Sequence, residues 1–339
     1  MRIPEPKQLP SGKWRIQVMV DKRRVGRTFD TPEEASYWAS GVKTKMKEAE
    51  AAPKNLSVSA AVDRYIESKD AVLSPSTIAG YKKIKNNLMT NIATVKLGDL
   101  TQEKVQRWVN YLAKEKSPKT VANAHGLLST VLGEYRPSMT LRTTLPQKIK
   151  PAIQIPSEAE IKAILTAAKG TKYELPIVLA VWLGLRQSEI LGLTWDCVDG
   201  DTIHIKQAIV MGENGPVEKG TKTYSGTRTI HLPDYIKKML DATPRHGEHI
   251  VRMSGKAIYS GFSRTCEKAG VPHFRFHDLR HTNASVMLAN GIPDKYSMKR
   301  MGHATNNMLK TTYQHTIKEK EAEYDQRIDI YFEDLMKPE

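Results

Sequence analysis

Groups able to bind phosphate and move protons gather at four places in the second half of this 339-residue chain. GLRQSEILGLTW (184–195) sets Arg186 after an apolar run, with Glu189 one helical turn on. TKTYSGTRTIHL (221–232) carries Lys222, and RFHDLRHTNASVM (275–287) packs His277, Asp278, Arg280 and His281 together. MGHATNNMLKTTYQHT (301–316) holds His303 and Tyr313. Arginine forks grip a phosphate bidentately and can stabilise the charge of a pentavalent transition state. Histidine and lysine can transfer protons, and a tyrosine oxygen can attack phosphorus and hold it as a covalent ester. Plainer readings exist for each. Arg186 at an apolar helix end needs an anion, which Glu189 can supply as a simple ion pair. Lys222 reads equally well as an exposed lysine of a hairpin.

Several chemistries are excluded. HDLRH has two histidines at i, i+4 but lacks the glutamate of a metalloprotease helix, and neither a GxxxxGK[ST] phosphate loop nor a GxSxG elbow occurs. Cys197 and Cys266 are the only cysteines, too few for a thiolate metal site or a disulfide framework, and read as inert core thiols of a reducing compartment. Neither a metal nor another cofactor is expected. The start, MRIPEPKQLP, shows no secretory segment, and LPIVLAVWLGL (175–185) is shorter than the roughly 20 residues a membrane span needs. That run is expected to be a buried helix.

The elements that position these groups fall into three parts. WRIQVMV (14–20) and RVGRTF (24–29) read as strands, followed by a helix whose TPEE start has Thr31 as cap, Pro32 in the first turn and Glu34 closing a capping box. EAEAAPKN (48–55) reads as a linker. Four helical segments follow near 57–69, 77–90, 102–115 and 119–134, broken by SPST, LGDLT and KSPKT. A second, proline-marked linker leads to Ser157, whose SEAE opens another capping box. Beyond it the chain reads as mainly helical, interrupted by strands from TIHIKQAIV (202–210) to RTIHL (228–232). The expected architecture is a small amino-terminal β-sheet plus helix (1–50), an all-α helical domain (56–136) and a mainly α, α+β domain (152–339).

Charge follows this division. The net charge is +15, and residues 1–50 carry 11 Lys/Arg against 7 Asp/Glu, residues 51–150 16 against 7, and residues 151–339 25 against 23. A phosphate backbone is attracted to such a basic amino-terminal half through counterion release, although a merely solubilising surface gives the same count. Lys13, Arg15, Arg23, Arg24 and Arg27 crowd the small sheet, and a sheet can enter a DNA groove. Lys82, Lys83, Lys85, Lys116 and Lys119 lie near the breaks of the helical part.

GLRxSE, TKTxSxxRTI, HDLRH, the GH at 302–303 and YQH at 313–315 stand in the order found in tyrosine recombinases, so the carboxyl-terminal part that carries them resembles that family. The helical 56–136 part is similar to its core-site-binding domain, and the amino-terminal sheet to the arm-site-binding domain of phage and conjugative-transposon integrases. Leu183 before GLR and Met301 before GH depart from the family pattern at positions not expected to touch a reacting group. The resemblance implies double-stranded DNA as substrate and a homo-tetramer working on paired sites. A DNA-bending host factor and an excision factor would be accessory partners, in the cytoplasm of a bacterial host at the nucleoid. It implies Arg186 and Arg280 clamping the scissile phosphate, Lys222 protonating the leaving 5′ oxygen, His277 accepting a proton or donating a hydrogen bond, and His303 bonding the phosphate. His281 and Asp278 would brace their helix, Asp278 also suiting its dipole.

Tyr313 is the nucleophile that the resemblance implies, from its spacing to His303. Tyr296, among Ile292 and Met298, reads as core packing. Tyr324 and Tyr331 share an apolar stripe with Ile328, Phe332 and Leu335 in 317–336, which could pack on its own domain or on a neighbouring protomer. A type IB topoisomerase uses the same chemistry, and a chromosome-dimer resolvase lacks the extra sheet; integration and excision fit the three-part layout best. A DNA-binding protein with a decayed catalytic domain conflicts with the full residue set.

Overall fold

A computed structural model describes residues 4–20, 23–50, 55–148, 154–220 and 226–302, together with 326, 329 and 330. The chain divides into two compact units, Met1–Lys150 and Pro151–Glu339. The amino-terminal sheet and the helical bundle thus fall within one contact unit, while each keeps its own apolar core.

The sheet is antiparallel, in the order β1 (Lys7–Gln8), β2 (Trp14–Val20) and β3 (Arg23–Phe29), and β1 is a strand the sequence pattern did not announce. Ile16 and Val18 of β2 are buried with Ala35 and Ala39 of α1 (Pro32–Glu50), so the strand's period of two sends Arg15, Gln17 and Met19 to the other face. Glu34 donates its backbone N–H to Thr31 Oγ1 at 3.2 Å, starting the helix where the sequence placed it. The helix then runs to Glu50, into the stretch read as linker, because alanine, lysine and glutamate favour helix.

Four helices make the bundle: α2 (Val58–Lys69), α3 (Pro75–Leu88), α4 (Gln102–Ala113) and α5 (Pro118–Tyr135). Each begins on a hydroxyl cap, Ser57, Ser74, Thr101 and Ser117, that accepts the N–H three residues on. Val62, Trp108, Leu128 and Leu132 lie at the centre of their shared core, and the Trp108 indole N–H reaches Leu88 O at 2.7 Å.

The second unit opens with α6 (Glu158–Ala168), whose Ser157–Glu160 capping box is complete, and α7 (Glu174–Trp182), buried at Ile177–Ala180 as its apolar sequence requires. Then come α8 (Gln187–Gly192), β4 (Val198–Asp199), β5 (Thr202–Ile205), β6 (Gln207–Gly212), β7 (Gly215–Gly220) and β8 (Arg228–His231). The run 202–210 is not one strand: it breaks at Lys206, β5 joining β4 and β8 in one sheet and β6 pairing with β7 in a hairpin. Helices α9 (Asp234–Asp241), α10 (Gly255–Lys268), α11 (Asp278–Ala289) and α12 (Asp294–Met301) complete the described part. Leu179, Leu183, Ile190, Ile203, Ile230, Phe262 and Leu279 form one core across α7, α8, both β5 and β8, α10 and α11, each large side chain contributing about 1.5–3 kcal/mol. Cys197 and Cys266 are buried, and burial raises the Cys266 thiol pKa, in keeping with an inert role.

Candidate active site

The site is organised around one carboxylate. Glu189 lies on α8, one turn after Arg186, and is only 3% exposed. Its Oε1 accepts the Arg186 guanidinium at 2.7 Å, and its Oε2 accepts the Arg186 backbone N–H at 2.9 Å. Arg228 of β8 takes both oxygens, at 3.1 and 2.9 Å, and Arg280 Nη1 stands 4.0 Å away. Burial alone would raise the Glu189 pKa; hydrogen bonds and charge from Arg228, then the charges of Arg186 and Arg280, override it and hold it at about 2. The carboxylate is therefore ionised at any working pH, and the surplus cations around it leave a net positive centre for an anion.

Two glycines complete the cradle. Gly184 (φ +65°) turns the chain from α7 toward Arg186, and a Cβ there would sit 2.8 Å from Asn283 Oδ1. Its carbonyl accepts Arg280 Nη1, while Met301 O accepts Arg280 Nη2. Gly302 ends α12 at φ +64°, and its carbonyl accepts Arg186 Nη2 at 3.1 Å. Left-handed backbone, which glycine adopts without strain, thus aims one carbonyl at each arginine of the expected clamp. Arg280 is 2% exposed, whereas 36% of the Arg186 side chain is open, so Arg186 forms the outer edge of the site. Burial first, then the neighbouring Arg186 charge, presses the Arg280 pKa below the usual arginine range.

His277 precedes α11, is exposed, and stands edge-on to His281 at 5.0 Å between centroids. Desolvation by the flanking protein, then the charges of His281, Arg280 and Arg186, disfavours its imidazolium and lowers its pKa to about 4. A neutral ring can accept a proton. Asp278, 2% exposed, accepts the Arg275 backbone N–H at 2.8 Å and the Arg275 guanidinium at 2.8 Å. It braces the start of α11, as its position suggested. His281 is buried in the same turn, and burial lowers its pKa.

Of the six expected catalytic residues, Arg186, His277 and Arg280 are brought together, while Lys222, His303 and Tyr313 lie outside the described residues, as do Tyr324 and Tyr331. Tyr296 does not pack in the core: α12 buries Ser297 and Met301 instead, and Tyr296 is 53% exposed. Arg228 was missed. Its signal was parity: it shares the inward face of β8 with Ile230, where a charged side chain requires a buried partner of opposite sign.

The expected DNA-contacting residues of the sheet divide by face. The pairs Arg15↔Thr28, Gln17↔Gly26 and Met19↔Arg24 lie opposite one another, and Lys7 pairs with Arg15, so these side chains share the open face. Ile16↔Arg27 belongs to the face that carries the small core, and Arg27 sits 5.7 Å over the Phe29 ring; Arg23 pairs with Val20 in the strand register. Lys13 is paired with Asp30 at 2.9 Å. In the bundle, Lys83 and Lys119 are exposed, Lys85 is held by Asp63 at 2.5 Å, and Lys116 lies 3.6 Å from Glu115. Lys82, one residue earlier on α3, is half-buried.

Residues 156–320 match the phage integrase family, and residues 58–113 match the SAM-like amino-terminal domain of phage integrases. A XerC-like tyrosine recombinase of Caldanaerobacter subterraneus is 26% identical over 293 residues, covering 72% of this chain and 75% of that protein. The putative prophage phiRv2 integrase of Mycobacterium tuberculosis is 24% identical, covering 94% and 92%. In solved structures the fold is similar to the Tn1549 transposon integrase bound to transposon right-end DNA (TM-score 0.65, 19% identity, 80% of this chain and 99% of that one). It is also similar to a lambda integrase tetramer on a Holliday junction (TM-score 0.60, 17% identity, 91% and 94%).

Proposed function

Because the chain belongs to the phage integrase family of tyrosine recombinases, we propose that it integrates and excises a mobile element by cutting and rejoining DNA at specific sites. It is a site-specific DNA recombinase, a strand transferase. Its named relatives are recombinases and integrases, which favours strand exchange over mere relaxation of supercoils. The observation that carries the reading is the paired Arg186 and Arg280, fixed on Glu189 and on the carbonyls of Gly184 and Gly302, with neutral His277 beside them.

In this reading the Tyr313 oxygen attacks the scissile phosphorus and gives its proton to His277. The bond from phosphorus to the 5′ oxygen breaks, and Lys222 donates a proton to that oxygen. Arg186 and Arg280 stabilise the charge on the non-bridging oxygens, and His303 adds a hydrogen bond. One such preorganised donor is worth about 2.7–4 kcal/mol, or roughly 10²–10³ in rate. The phosphotyrosine conserves the bond energy until the 5′ hydroxyl of a partner strand displaces it, so neither nucleotide hydrolysis nor a metal enters the scheme.

Residues 1–50 would bind arm-type sites through the open face of the sheet, residues 56–136 the core site, and residues 152–339 would cleave. Four protomers on two sites complete exchange, as the lambda integrase tetramer on its junction suggests, with a DNA-bending host protein and an excision factor biasing direction. Among the described residues no helix is long and apolar enough to cross a membrane. Acting on DNA, the protein would work in the cytoplasm of a bacterial host, at the nucleoid. Incubating the protein with two DNAs that carry its element's attachment sites tests this. Recombinant product with 3′-linked protein at the crossover is expected, and relaxation without exchange would overturn it.

A further inference from the structure

Arg228 has no place in the scheme above, yet it makes the densest set of bonds in the site. Its Nη1 and Nη2 take both oxygens of Glu189, its Nε donates to Arg300 O at 2.7 Å, and its Nη1 also donates to Gly226 O at 3.0 Å. Four of the five N–H groups of a guanidinium are thereby engaged. We propose that Arg228 is a positioning residue for the phosphate clamp, locking Glu189 in a bidentate grip so that Arg186 and Arg280 stay turned toward the DNA.

Three arginines compete for a single buried carboxylate. Arg186 makes one side-chain bond to Glu189, and Arg280 remains at 4.0 Å, held instead by the carbonyls of Gly184 and Met301. With Arg228 gone, Glu189 keeps only its bonds from Arg186 and draws in the nearest cations, because an under-compensated buried charge is costlier than a displaced side chain. Arg186 would close on it bidentately, Arg280 would leave its carbonyls, and both forks would turn inward. Arg228 therefore spares the clamp by satisfying the carboxylate first. Its other two bonds anchor the chain just after residues 221–225, which include Lys222, and just before Gly302, whose carbonyl holds Arg186. Gly226 and Arg300 thus share one anchor.

This inference rests on the recombinase reading. The test measures single-turnover cleavage and core-site binding for the full chain, the wild type beside Arg228→Met and Arg228→Lys, on a phosphodiester and on a neutral methylphosphonate at the scissile position. Misplacing reacting groups by about 1 Å costs on the order of 10²-fold in rate. Arg228→Met should lose about that much on the phosphodiester with an unchanged binding constant. Arg228→Lys, which keeps the charge without the fork, should lose nearly as much. On the methylphosphonate, which asks less of the clamp, the loss should shrink to a few-fold. An equal loss on both substrates would mean general damage to the scaffold and overturn the proposal, as would wild-type cleavage by either folded variant. Should Arg228→Met fail to fold, Arg228→Lys carries the same comparison. Absence of cleavage by the wild type at its own site would instead overturn the recombinase reading beneath it.

Discussion

The arginines of the carboxyl-terminal unit and those of the amino-terminal sheet are the same side chain put to opposite uses. Arg228 and Arg280 are buried, and each is held in place by bonds to a carboxylate or to backbone carbonyls. Arg15 and Arg24 lie on the open face of a three-stranded sheet, exposed beside Gln17 and Met19. Burial with full hydrogen bonding fixes a guanidinium to within a fraction of an ångström, as transition-state stabilisation needs. Exposure leaves its charge free to find phosphates of any sequence, in a manner that salt screens. The first kind should fail in catalysis when altered, the second only in affinity.

The sharpest way to break this contrast is at Glu189. Glu189→Ala leaves three cations around an empty position, and loss of one partner of a buried ion cluster costs about 3–5 kcal/mol. Thermal unfolding should shift strongly downward and cleavage should vanish. A melting temperature like the wild type's would show that the cluster is not structural. Acid should mimic the change: the folded carboxylate titrates near 2 against 4.5 for the free group, so its stabilisation is complete above about pH 4.5 and lost as pH falls toward 2.

Next in size is Arg186→Lys, which keeps the charge and loses the fork. Cleavage should slow by roughly 10²–10³ with core-site binding retained, and single-turnover rates decide it.

A smaller effect is expected on the sheet. Arg15→Gln with Arg24→Gln should leave melting within about 0.5 kcal/mol and core-site cleavage unchanged. Arm-site affinity should fall, with the salt dependence flattened by about one unit per lost phosphate contact. Equal losses at core sites, seen in binding titrations across salt concentrations, would dissolve the distinction between the two regions. Arg27→Gln, on the other face, should matter less than Arg15→Gln.

The smallest effect is electrostatic tuning at His277. Its folded pKa, lowered to about 4, means that below pH 6.5 the unfolded chain binds the extra proton first, so this group destabilises the fold progressively as pH falls from 6.5 toward 4. Above that window it is neutral in both states. NMR titration of the imidazole should give a midpoint well below 6.5 in the free protein, and a midpoint at or above 6.5 would remove the case for a neutral proton acceptor.

Much of this was legible in the sequence for physical reasons. The bundle helices begin where Ser-Pro and Thr signals put them, because a hydroxyl cap is a local device independent of tertiary context. The Arg186–Glu189 pair follows from one helical turn of spacing. What escaped depends on chain segments distant in sequence. That Arg228 reaches Glu189 across 39 residues requires knowing which strand lies beside α8. The division of the sheet arginines between two faces needs the register of β2 on β3, which a cluster of charges does not reveal. Tyr296 looked apolar by its neighbours, yet the face α12 buries is the one bearing Ser297 and Met301.

In the recombinase reading Tyr313 is the nucleophile served by this clamp, and identifying the protein–DNA bond itself tests that most directly. The full chain is incubated with a nicked core site that traps the cleaved intermediate, then digested and sequenced by mass spectrometry. The predicted adduct is a phosphotyrosine at Tyr313 carrying a DNA 3′ phosphate, absent from Tyr313→Phe although that variant still binds the site. An adduct on Tyr324, Tyr296 or any other residue, a 5′-phosphate linkage, or trapping undiminished in Tyr313→Phe would contradict it.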